Sequence, residues 1–174
     1  MKRKILFCII LAVFILSSPA FAADIILPEG TPVKVCFSPA GNCTQVIVDV
    51  LDKAESEILV QAYSFTSAPI AKALLNAYKK GINVAVILDK NQRKERYSSY
   101  KFFLNQGIPV FIDDKHAIAH NKVMIIDRET VITGSFNFTK SAEVRNAENL
   151  IVIKSKELAR EYVRNWEEHR AHSE

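Results

Sequence analysis

This sequence of 174 residues has no large excess of positive or negative charge. It also has no glycine-rich linker, no internal repeat and few long apolar runs. Beyond residue 22 no apolar run is long enough to cross a membrane. Without residues 1–22, 20 basic residues face 19 acidic ones, although the whole chain carries a formal charge of +4. That balance excludes binding to a polyanion by bulk charge and would require a local patch. With 49% apolar and 24% charged residues, the sequence predicts a single folded domain over residues 23–174.

The first 22 residues have the layout of a secretory signal peptide. A basic start is followed by 12 uncharged apolar residues over 5–16, and Ala20-Phe21-Ala22 has the small-residue pattern of a cleavage site. A membrane anchor is the alternative, but that run spans only about 18 Å as a helix, against a hydrocarbon core of about 30 Å. We therefore expect cleavage before Ala23, and a periplasmic or secreted protein without stable membrane association.

Cysteine is also scarce, because only Cys36 and Cys43 remain beyond the signal peptide. The turn formers Pro39, Gly41 and Asn42 lie between them. A turn is needed because a disulfide requires Cα atoms within about 7 Å, and an oxidising compartment permits the bond. A disulfide is therefore expected, and two free buried thiols are the alternative. Two thiols alone cannot make a zinc site.

The apolar pattern alternates between strands and helices. Strands are predicted over 33–37, 57–65, 83–88 and 109–112. Between them, one helix capped by Asn42 or Thr44 is predicted to run to about residue 54, and two others over 67–80 and 91–105. This order predicts an α/β fold with a mixed, mostly parallel sheet flanked by helices on both faces. Strands over 122–126 and 130–134 then form a hairpin, followed by a strand over 149–153. Ser155 caps a last helix, in which Leu158, Tyr162 and Trp166 form a stripe expected to lie in the core or at a subunit contact.

A histidine and a lysine two residues apart mark the start of the predicted hairpin. Residues i and i+2 of a strand share a face, so His120 and Lys122 point the same way. An imidazole beside an ammonium suits a phosphodiester, because the ammonium neutralises nonbridging oxygens while the imidazole attacks phosphorus or moves a proton. Ser135 and Asn137 share a face after the next strand and add uncharged donors. A solvated surface pair is the alternative. Asp127 has the opposite parity and is expected to be a structural or orienting carboxylate.

These residues carry a resemblance to a known family. His120-x-Lys122, Asp127 after four further residues and Gly134-Ser135 after six more resemble the signature of the phospholipase D superfamily. Tyr63-Ser64-Phe65-Thr66, the run from Gly134 to Thr139 and Glu148-Asn149 are similar to the small exported, chelator-resistant bacterial endonucleases of that superfamily. The resemblance covers nearly all of residues 33–170. It implies a phospholipase D-like fold and a hydrolase of phosphodiester bonds that uses no metal and no cofactor.

The resemblance also implies a role for each matching position. His120 would be the nucleophile that forms a phosphohistidine, and Lys122, Ser135 and Asn137 would hold the phosphate. Glu148 would orient the histidine through a hydrogen bond, although a surface glutamate at a strand edge is the alternative. The residues grouped as catalytic are His120, Lys122, Asp127 and Glu148, with Asp127 expected to act as a structural or orienting carboxylate and not as a direct participant.

One copy of the signature implies two chains. A double displacement needs a nucleophile and a general acid, and one imidazole cannot be both in the same step. His116 lies about 13 Å from His120 in extended chain, and His169 and His172 lie in a polar tail. A twofold homodimer with a shared active site is therefore expected. A metal held by His116 and His120 at helical spacing is the alternative, but the sequence that follows has a strand pattern.

A local basic patch is the candidate contact for nucleic acid. Basic groups with interleaved aromatics suit backbone phosphates and stacked bases, although a solvated helix face is the alternative. No motif for base recognition is present, so cleavage should be largely independent of sequence. A phospholipid hydrolase of the same superfamily and a non-catalytic nucleic-acid-binding protein are the alternative functions. The patch comprises Lys90, Arg93, Lys94, Arg96 and Lys101 with Tyr97, Tyr100 and Phe102.

Overall fold

The computed structural model describes residues 22–174. The predicted signal peptide, apart from its last residue, lies outside the described residues. Within the described residues, no helix is both long and apolar enough to span a membrane.

A seven-stranded sheet forms the centre of the described chain, with its strands in the order β1-β7-β6-β5-β2-β3-β4. In chain order the strands are β1 (Val33–Ser38), β2 (Glu57–Ala62), β3 (Asn83–Asp89), β4 (Val110–Asp113), β5 (Lys122–Ile126), β6 (Thr130–Gly134) and β7 (Glu148–Lys154). The helices are α1 (Cys43–Leu51), α2 (Ala68–Lys79), α3 (Tyr100–Asn105), α4 (Lys140–Val144) and α5 (Lys156–His172).

The sheet is mixed, and helices cover both of its faces, as the sequence predicts. Among the seven described strands, parallel pairing is confined to β2, β3 and β4, which helical crossovers connect. The other neighbouring pairs are antiparallel, so the expectation of a mostly parallel sheet differs from the structure. The reason is the chain length between strands, since the three residues Asp127, Arg128 and Glu129 can join β5 and β6 only as a hairpin.

Alternate residues of the central strands pack against different helices. Ile58 and Val60 of β2 belong to the core that includes residues of α1, α2 and α3. Leu59 belongs to the second core, which includes residues of α5. The indole nitrogen of Trp166 donates a hydrogen bond of 3.0 Å to the backbone oxygen of Val60. The stripe of Leu158, Tyr162 and Trp166 therefore lies in a core, as one of its two predicted roles requires.

The helix predicted over residues 91–105 is wrong. A 3₁₀ turn occupies Lys90–Arg93, and α3 begins only at Tyr100. Contacts to Phe65 fix the segment between them, because Phe65 donates its backbone N–H to Oε1 of Gln92 and accepts the backbone N–H of Ser99. These tertiary hydrogen bonds stabilise a turn where the local sequence alone favours a helix.

Cys36 and Cys43 form a disulfide, with their Cα atoms 5.7 Å apart. Both cysteines are buried in the core beside α1. The turn between them contains Ala40 and Asn42 in the left-handed region of backbone space. The disulfide prediction is thus confirmed, and the bond joins the edge strand β1 to the start of α1.

Candidate active site

Four strand ends meet at one edge of the sheet. β2 and β6 end there, and β5 and β7 begin there, because each neighbouring pair is antiparallel. The register places Ala62, the last residue of β2, beside Lys122, the first of β5. Next to them, the backbone N–H of Tyr63 donates to the oxygen of Asn121 at 2.8 Å. Groups far apart in the chain are therefore presented at one place.

His120 and Lys122 both lie against the ring of Tyr63. The imidazole centre is 4.5 Å from the centre of the phenol ring, with the two planes tilted by 57°. The Lys122 Nζ is 5.0 Å from the same ring centre and donates a hydrogen bond of 2.8 Å to the backbone oxygen of His120. His120 is exposed to solvent. The geometry thus presents an accessible imidazole beside an ammonium that the backbone and an aromatic face hold in place.

Lys122 is only 8% exposed, which is low for a lysine. Burial lowers the pKa of its ammonium below the usual value, and the negative charge of Glu148 offsets part of that effect. A partly desolvated ammonium attracts an anion more strongly than one in bulk water, because the local dielectric is lower. The position is therefore suited to binding a phosphate oxygen.

Ser135 and Glu148 are joined by a short hydrogen bond, in which Oγ of the serine donates to Oε2 of the glutamate at 2.6 Å. Asn146 donates from Nδ2 to the other carboxylate oxygen at 2.9 Å. Ser135 in turn accepts the backbone N–H of Asn149 at 3.0 Å. Within the described residues, the structure has no hydrogen bond between Glu148 and His120. The orienting role implied for Glu148 therefore remains a prediction.

Asn137 is positioned by the aromatic residues on either side of it. Phe136 and Phe138 are fully buried, and the backbone oxygen of Phe138 accepts the N–H groups of Thr66 and Ser67 at 2.9 Å each. Oδ1 of Asn137 is buried without a hydrogen-bond partner among the described residues. Only the Nδ2 group of this amide can donate to a phosphate oxygen, because Oδ1 is an acceptor.

Asp127 lies at the opposite end of β5 from Lys122. Its carboxylate accepts the backbone N–H groups of Glu55, Ser56 and Glu57 and the hydroxyl of Ser56, at 2.7–3.2 Å. Burial alone would raise the pKa of this carboxyl, but these hydrogen bonds outweigh burial and hold it below its usual value. Asp127 thus binds the turn that precedes β2 and does not contact the groups around His120.

The predicted basic patch is partly engaged within the chain. Arg93 forms an ion pair with Glu174 at 3.0 Å, and Lys90 donates to the backbone oxygen of His116 at 2.9 Å. The guanidinium of Arg96 stacks over the ring of Tyr97, which is 71% exposed. The segment follows β3, whose end lies at the same edge of the sheet as the end of β2, because the two strands are parallel. The patch is therefore near the site, with Lys94, Arg96 and Tyr97 exposed.

Sequence reasoning missed a second cluster of side chains that carry metal-ligand atoms. Asp113, His116, His169 and His172 bring one potential ligand atom each within 4.8 Å of the others. The only available signal was the repeated spacing Asp-x-x-His and His-x-x-His, and the second pair lies on α5, far along the chain. Tyr63 and Asn146 were also missed as supports of the site. Their contacts depend on loops whose paths the residue pattern does not predict.

Three comparisons with known proteins agree with this geometry. The family described as "Cardiolipin synthase, PLD-like domain" matches residues 47–170. Phospholipase D of Rickettsia felis is 47% identical over 134 residues, which is 77% of this chain and 67% of that protein. Mitochondrial cardiolipin hydrolase of Homo sapiens is 29% identical over 147 residues, which is 82% of this chain and 57% of that protein.

A solved structure is also similar. Nuc, a phospholipase D family member from Salmonella typhimurium, superposes with a TM-score of 0.79 at 37% identity, covering 83% of this chain and 97% of that chain. The chain therefore belongs to the phospholipase D superfamily, and it is a hydrolase acting on phosphodiester bonds. The resemblance inferred from the residues around His120 and Gly134 is confirmed at the level of the superfamily.

Proposed function

We propose that this protein is a metal-independent endonuclease that cleaves DNA or RNA without sequence preference through a phosphohistidine intermediate. One observation carries the proposal: His120 and Lys122 lie at the same edge of the sheet as Ser135, Asn137 and Glu148. An exposed imidazole thereby lies at the same end of the strands as one buried ammonium, two uncharged hydrogen-bonding groups and one carboxylate. This set can attack a phosphodiester and stabilise its nonbridging oxygens without a further Lewis acid.

In the proposed first step, a ring nitrogen of His120 attacks phosphorus and forms a P–N bond. The bond from phosphorus to the leaving oxygen breaks, and that oxygen takes a proton from His120 of the partner subunit. Lys122, with Ser135 and Asn137, holds the nonbridging oxygens as charge develops on them. In the second step, water attacks phosphorus, gives its proton to the partner subunit's His120, and the P–N bond breaks. Both imidazoles then return to their starting protonation states.

The chain's own histidines support a shared site in a homodimer. Apart from His120 the sequence has three histidines, and all three surround Asp113 at a different place in the fold. No second imidazole of the described chain is thus available as the general acid. Ile118, two residues from His120, is 54% exposed, and Val144 of α4 is 52% exposed. Burial of such apolar side chains against a second copy would stabilise a dimer.

The basic segment after β3 supports nucleic acid as the substrate. Arg93, Lys94 and Arg96 are exposed. Their segment lies close to the end of β2, because Gln92 and Ser99 at its two ends form hydrogen bonds with Phe65. Tyr97 offers an exposed ring on which a base can stack. Phosphates of a strand bound at His120 could then extend across these cations. The alternative is that these basic side chains are only solvated. Substitution of Arg93, Lys94 and Arg96 by neutral residues would then leave substrate binding unchanged.

A phospholipid hydrolase is the second candidate, because two of the relatives are named phospholipase D and mitochondrial cardiolipin hydrolase. It would use the same His120 chemistry on a different leaving group. The exposed Ile118 would then contact lipid instead of a partner subunit. The alternative of a non-catalytic nucleic-acid-binding protein requires no nucleophile, so an intact His120, Lys122, Ser135, Asn137 and Glu148 argue against it.

Substrate competition tests the proposal. The purified protein is incubated with plasmid DNA, single-stranded DNA, RNA, and vesicles of phosphatidylcholine or cardiolipin, in excess chelator and well below its melting temperature. We expect cleavage of nucleic acid alone, and His120→Asn should lower the rate by about 10³-fold or more. Hydrolysis of lipid alone would establish the second candidate. Binding of nucleic acid without cleavage would favour the third.

Mixed subunits test the shared site. Wild-type and His120→Asn chains with different tags are unfolded together, refolded, and separated into the two homodimers and the mixed dimer. We expect the mixed dimer to be inactive in turnover, because one of its two imidazoles is missing. A fully active mixed dimer, or a fully active monomer, would contradict the shared site.

Export to the periplasm or the medium is also proposed. The disulfide between Cys36 and Cys43 supports it, because such bonds persist in oxidising compartments. Mass spectrometry of the protein from the periplasmic fraction is expected to find a chain that begins at Ala23. A chain that keeps residues 1–22 in the cytosol would overturn this proposal.

A further inference from the structure

A cluster of three histidines and one aspartate lies outside the proposed active site. Asp113 ends β4 and is fully buried, with 0% of its surface exposed. Nδ1 of His116 is 3.0 Å, and Nδ1 of His169 is 2.6 Å, from Oδ2 of this carboxylate. Nε2 of His172 is 3.5 Å from Oδ1. A buried carboxylate needs charged or hydrogen-bonding partners. In the part of the chain that the structure describes, the ionisable side chains that contact this carboxylate are the three imidazoles.

We propose that these four side chains bind one divalent transition-metal ion, best fitted by Zn²⁺. One ligand atom from each residue lies within 4.8 Å of the others. A tetrahedral zinc with bonds of about 2.0–2.1 Å holds its ligand atoms about 3.3 Å apart, so small side-chain shifts would complete the site. Three imidazole nitrogens and one carboxylate oxygen suit zinc, whereas Mg²⁺ and Ca²⁺ require six or more oxygen ligands.

The hydrogen bonding of the cluster leaves one nitrogen unsatisfied. Nε2 of His172 is buried and has no hydrogen-bond partner among residues 22–174, although it faces the Asp113 carboxylate. The carboxylate oxygens are hydrogen-bonded to His116 and His169, whereas Nε2 of His172 comes no closer than 3.5 Å. A metal ion at the centre accepts a lone pair from every member of the cluster. This ligand requirement distinguishes the proposed site from a network of hydrogen bonds.

The elements around the cluster hold its members in position. His116 is fixed by Lys90, which donates to its backbone oxygen at 2.9 Å. His169 and His172 lie on the last turn of α5, and Ser173 donates its hydroxyl to the oxygen of His169 at 2.7 Å. Past the helix, Ile112 and Glu174 exchange backbone hydrogen bonds of 2.8 and 3.1 Å. The end of α5 is therefore already docked on β4, and binding would need little rearrangement.

The site is structural and not part of the proposed reaction. β4 is three strands from β5 in the sheet, which places Asp113 about 14 Å from Lys122. The loop between β4 and β5 nevertheless contains both His116 and His120. Ala119 of this loop donates its backbone N–H to Oδ2 of Asp89 at 2.8 Å. Zinc would thus stabilise α5 and one end of the loop that positions His120.

Metal content and affinity test the proposal on the purified, full chain. The protein is dialysed against chelator, passed into metal-free buffer, and titrated with Zn²⁺, with Co²⁺ and with Mg²⁺ as the control ion. We expect about one zinc per chain, the visible absorption of four-coordinate Co²⁺, and no competition by Mg²⁺. Free zinc at 100 times the dissociation constant should raise the melting temperature by about 5–10 °C.

Variants locate the ion. His169→Gln and His172→Gln should each weaken zinc binding by at least about 10-fold and abolish the rise in melting temperature. His120→Asn is the matched control, because it removes the one histidine outside the cluster, and it should keep one zinc per chain. Melting temperatures in chelator establish whether each variant is folded. Zinc content under about 0.1 per chain in the wild type, or equal affinity in the His172→Gln variant, would overturn the proposal.

The metal proposal and the proposed function fail separately. The metal site is tested by zinc stoichiometry, Co²⁺ absorption and melting temperature, and none of these measurements requires turnover. Activity in chelator below the melting temperature of the metal-free protein is expected to persist, because the ion is remote from His120. Loss of the chemical step in the folded, metal-free protein would contradict a purely structural role.

Discussion

Tyr63 and His120 are in direct contact, with their ring centres 4.5 Å apart. The same phenol ring lies 5.0 Å from the ammonium of Lys122. One aromatic side chain at the end of β2 therefore positions both the imidazole and the cation that begins β5. This relationship connects the order of the strands to the chemistry, because it exists only when β2 and β5 are neighbours.

Removal of the Tyr63 ring should impair turnover more than substrate binding. We expect Tyr63→Ala to lower kcat by about 10–100-fold, because a mobile imidazole is seldom in the attacking position. Tyr63→Phe keeps the ring and should remain within about 3-fold of wild type, since only the hydroxyl is lost. Separate kcat and KM values on a phosphodiester substrate make the comparison. Equal losses in both variants would assign the effect to the hydroxyl instead of to packing.

Lys122 should set an alkaline limit to activity. Burial lowers the pKa of its ammonium, so the charge needed for phosphate binding is present below that pKa and lost as the pH rises through it. We expect activity to decline at a lower pH than an ordinary lysine, with its pKa of 10.5, would allow. Lys122→Arg should move the decline to higher pH, because a guanidinium stays protonated. An unchanged alkaline limb in the arginine variant would assign the titration to another group.

Asp127 should affect stability much more than chemistry. Its hydrogen bonds to the turn before β2 hold the pKa below 3.8 despite burial. The stabilisation is therefore fully present above pH 3.8 and is lost as the pH falls through the lower, folded-state pKa. Asp127→Asn should reduce the free energy of unfolding by about 2–3 kcal/mol at neutral pH. Urea unfolding measures this loss.

The specific activity of folded Asp127→Asn is the accompanying control. We expect it to stay within about 5-fold of wild type, because the side chain lies at the end of β5 remote from Lys122. A loss as large as that of His120→Asn, at full folding, would instead make Asp127 a catalytic residue.

Gly134 should not tolerate a side chain. Its φ of +144° is unfavourable for other residues, and a Cβ would lie 2.3 Å from the backbone oxygen of Asn149. Gly134→Ala should reduce the free energy of unfolding by about 2–4 kcal/mol and displace the neighbouring Ser135. Gly81→Ala is the matched control, because Gly81 also has a positive φ but no atom within 4 Å of a Cβ. That control should cost about 1 kcal/mol. If the two variants lose the same free energy of unfolding, the whole effect is due to the backbone angle φ.

Much of the fold could be predicted because strand and helix periods are local. The strands Lys122–Ile126 and Thr130–Gly134 and the cap at Ser155 coincide with their predicted positions. The helix predicted over 91–105 failed because Phe65, far earlier in the chain, determines the path of that segment. The excess of antiparallel pairs was missed for a related reason, since strand direction depends on which strands become neighbours.

The candidate site divides in the same way. The two-residue spacings of His120 with Lys122 and of Ser135 with Asn137 were visible in the sequence, and so was the phosphodiester chemistry that they suit. The support of His120 by Tyr63 was not visible, because a stacking contact between separate strand ends has no local pattern. The hydrogen bonds of Glu148 with Ser135 and Asn146 likewise depend on how β6 and β7 pair.

By itself, the sequence predicted a set of residues suited to phosphodiester chemistry and determined the superfamily and the positions of most strands, because spacing and apolar period act over a few residues. Only the tertiary structure decided that His116, His169 and His172 surround one carboxylate. Asp113 and His169 are 56 positions apart, and they meet only because α5 packs across the sheet and ends against β4. Contacts of that kind follow from the free energy of packing a whole helix, which no short stretch of sequence contains.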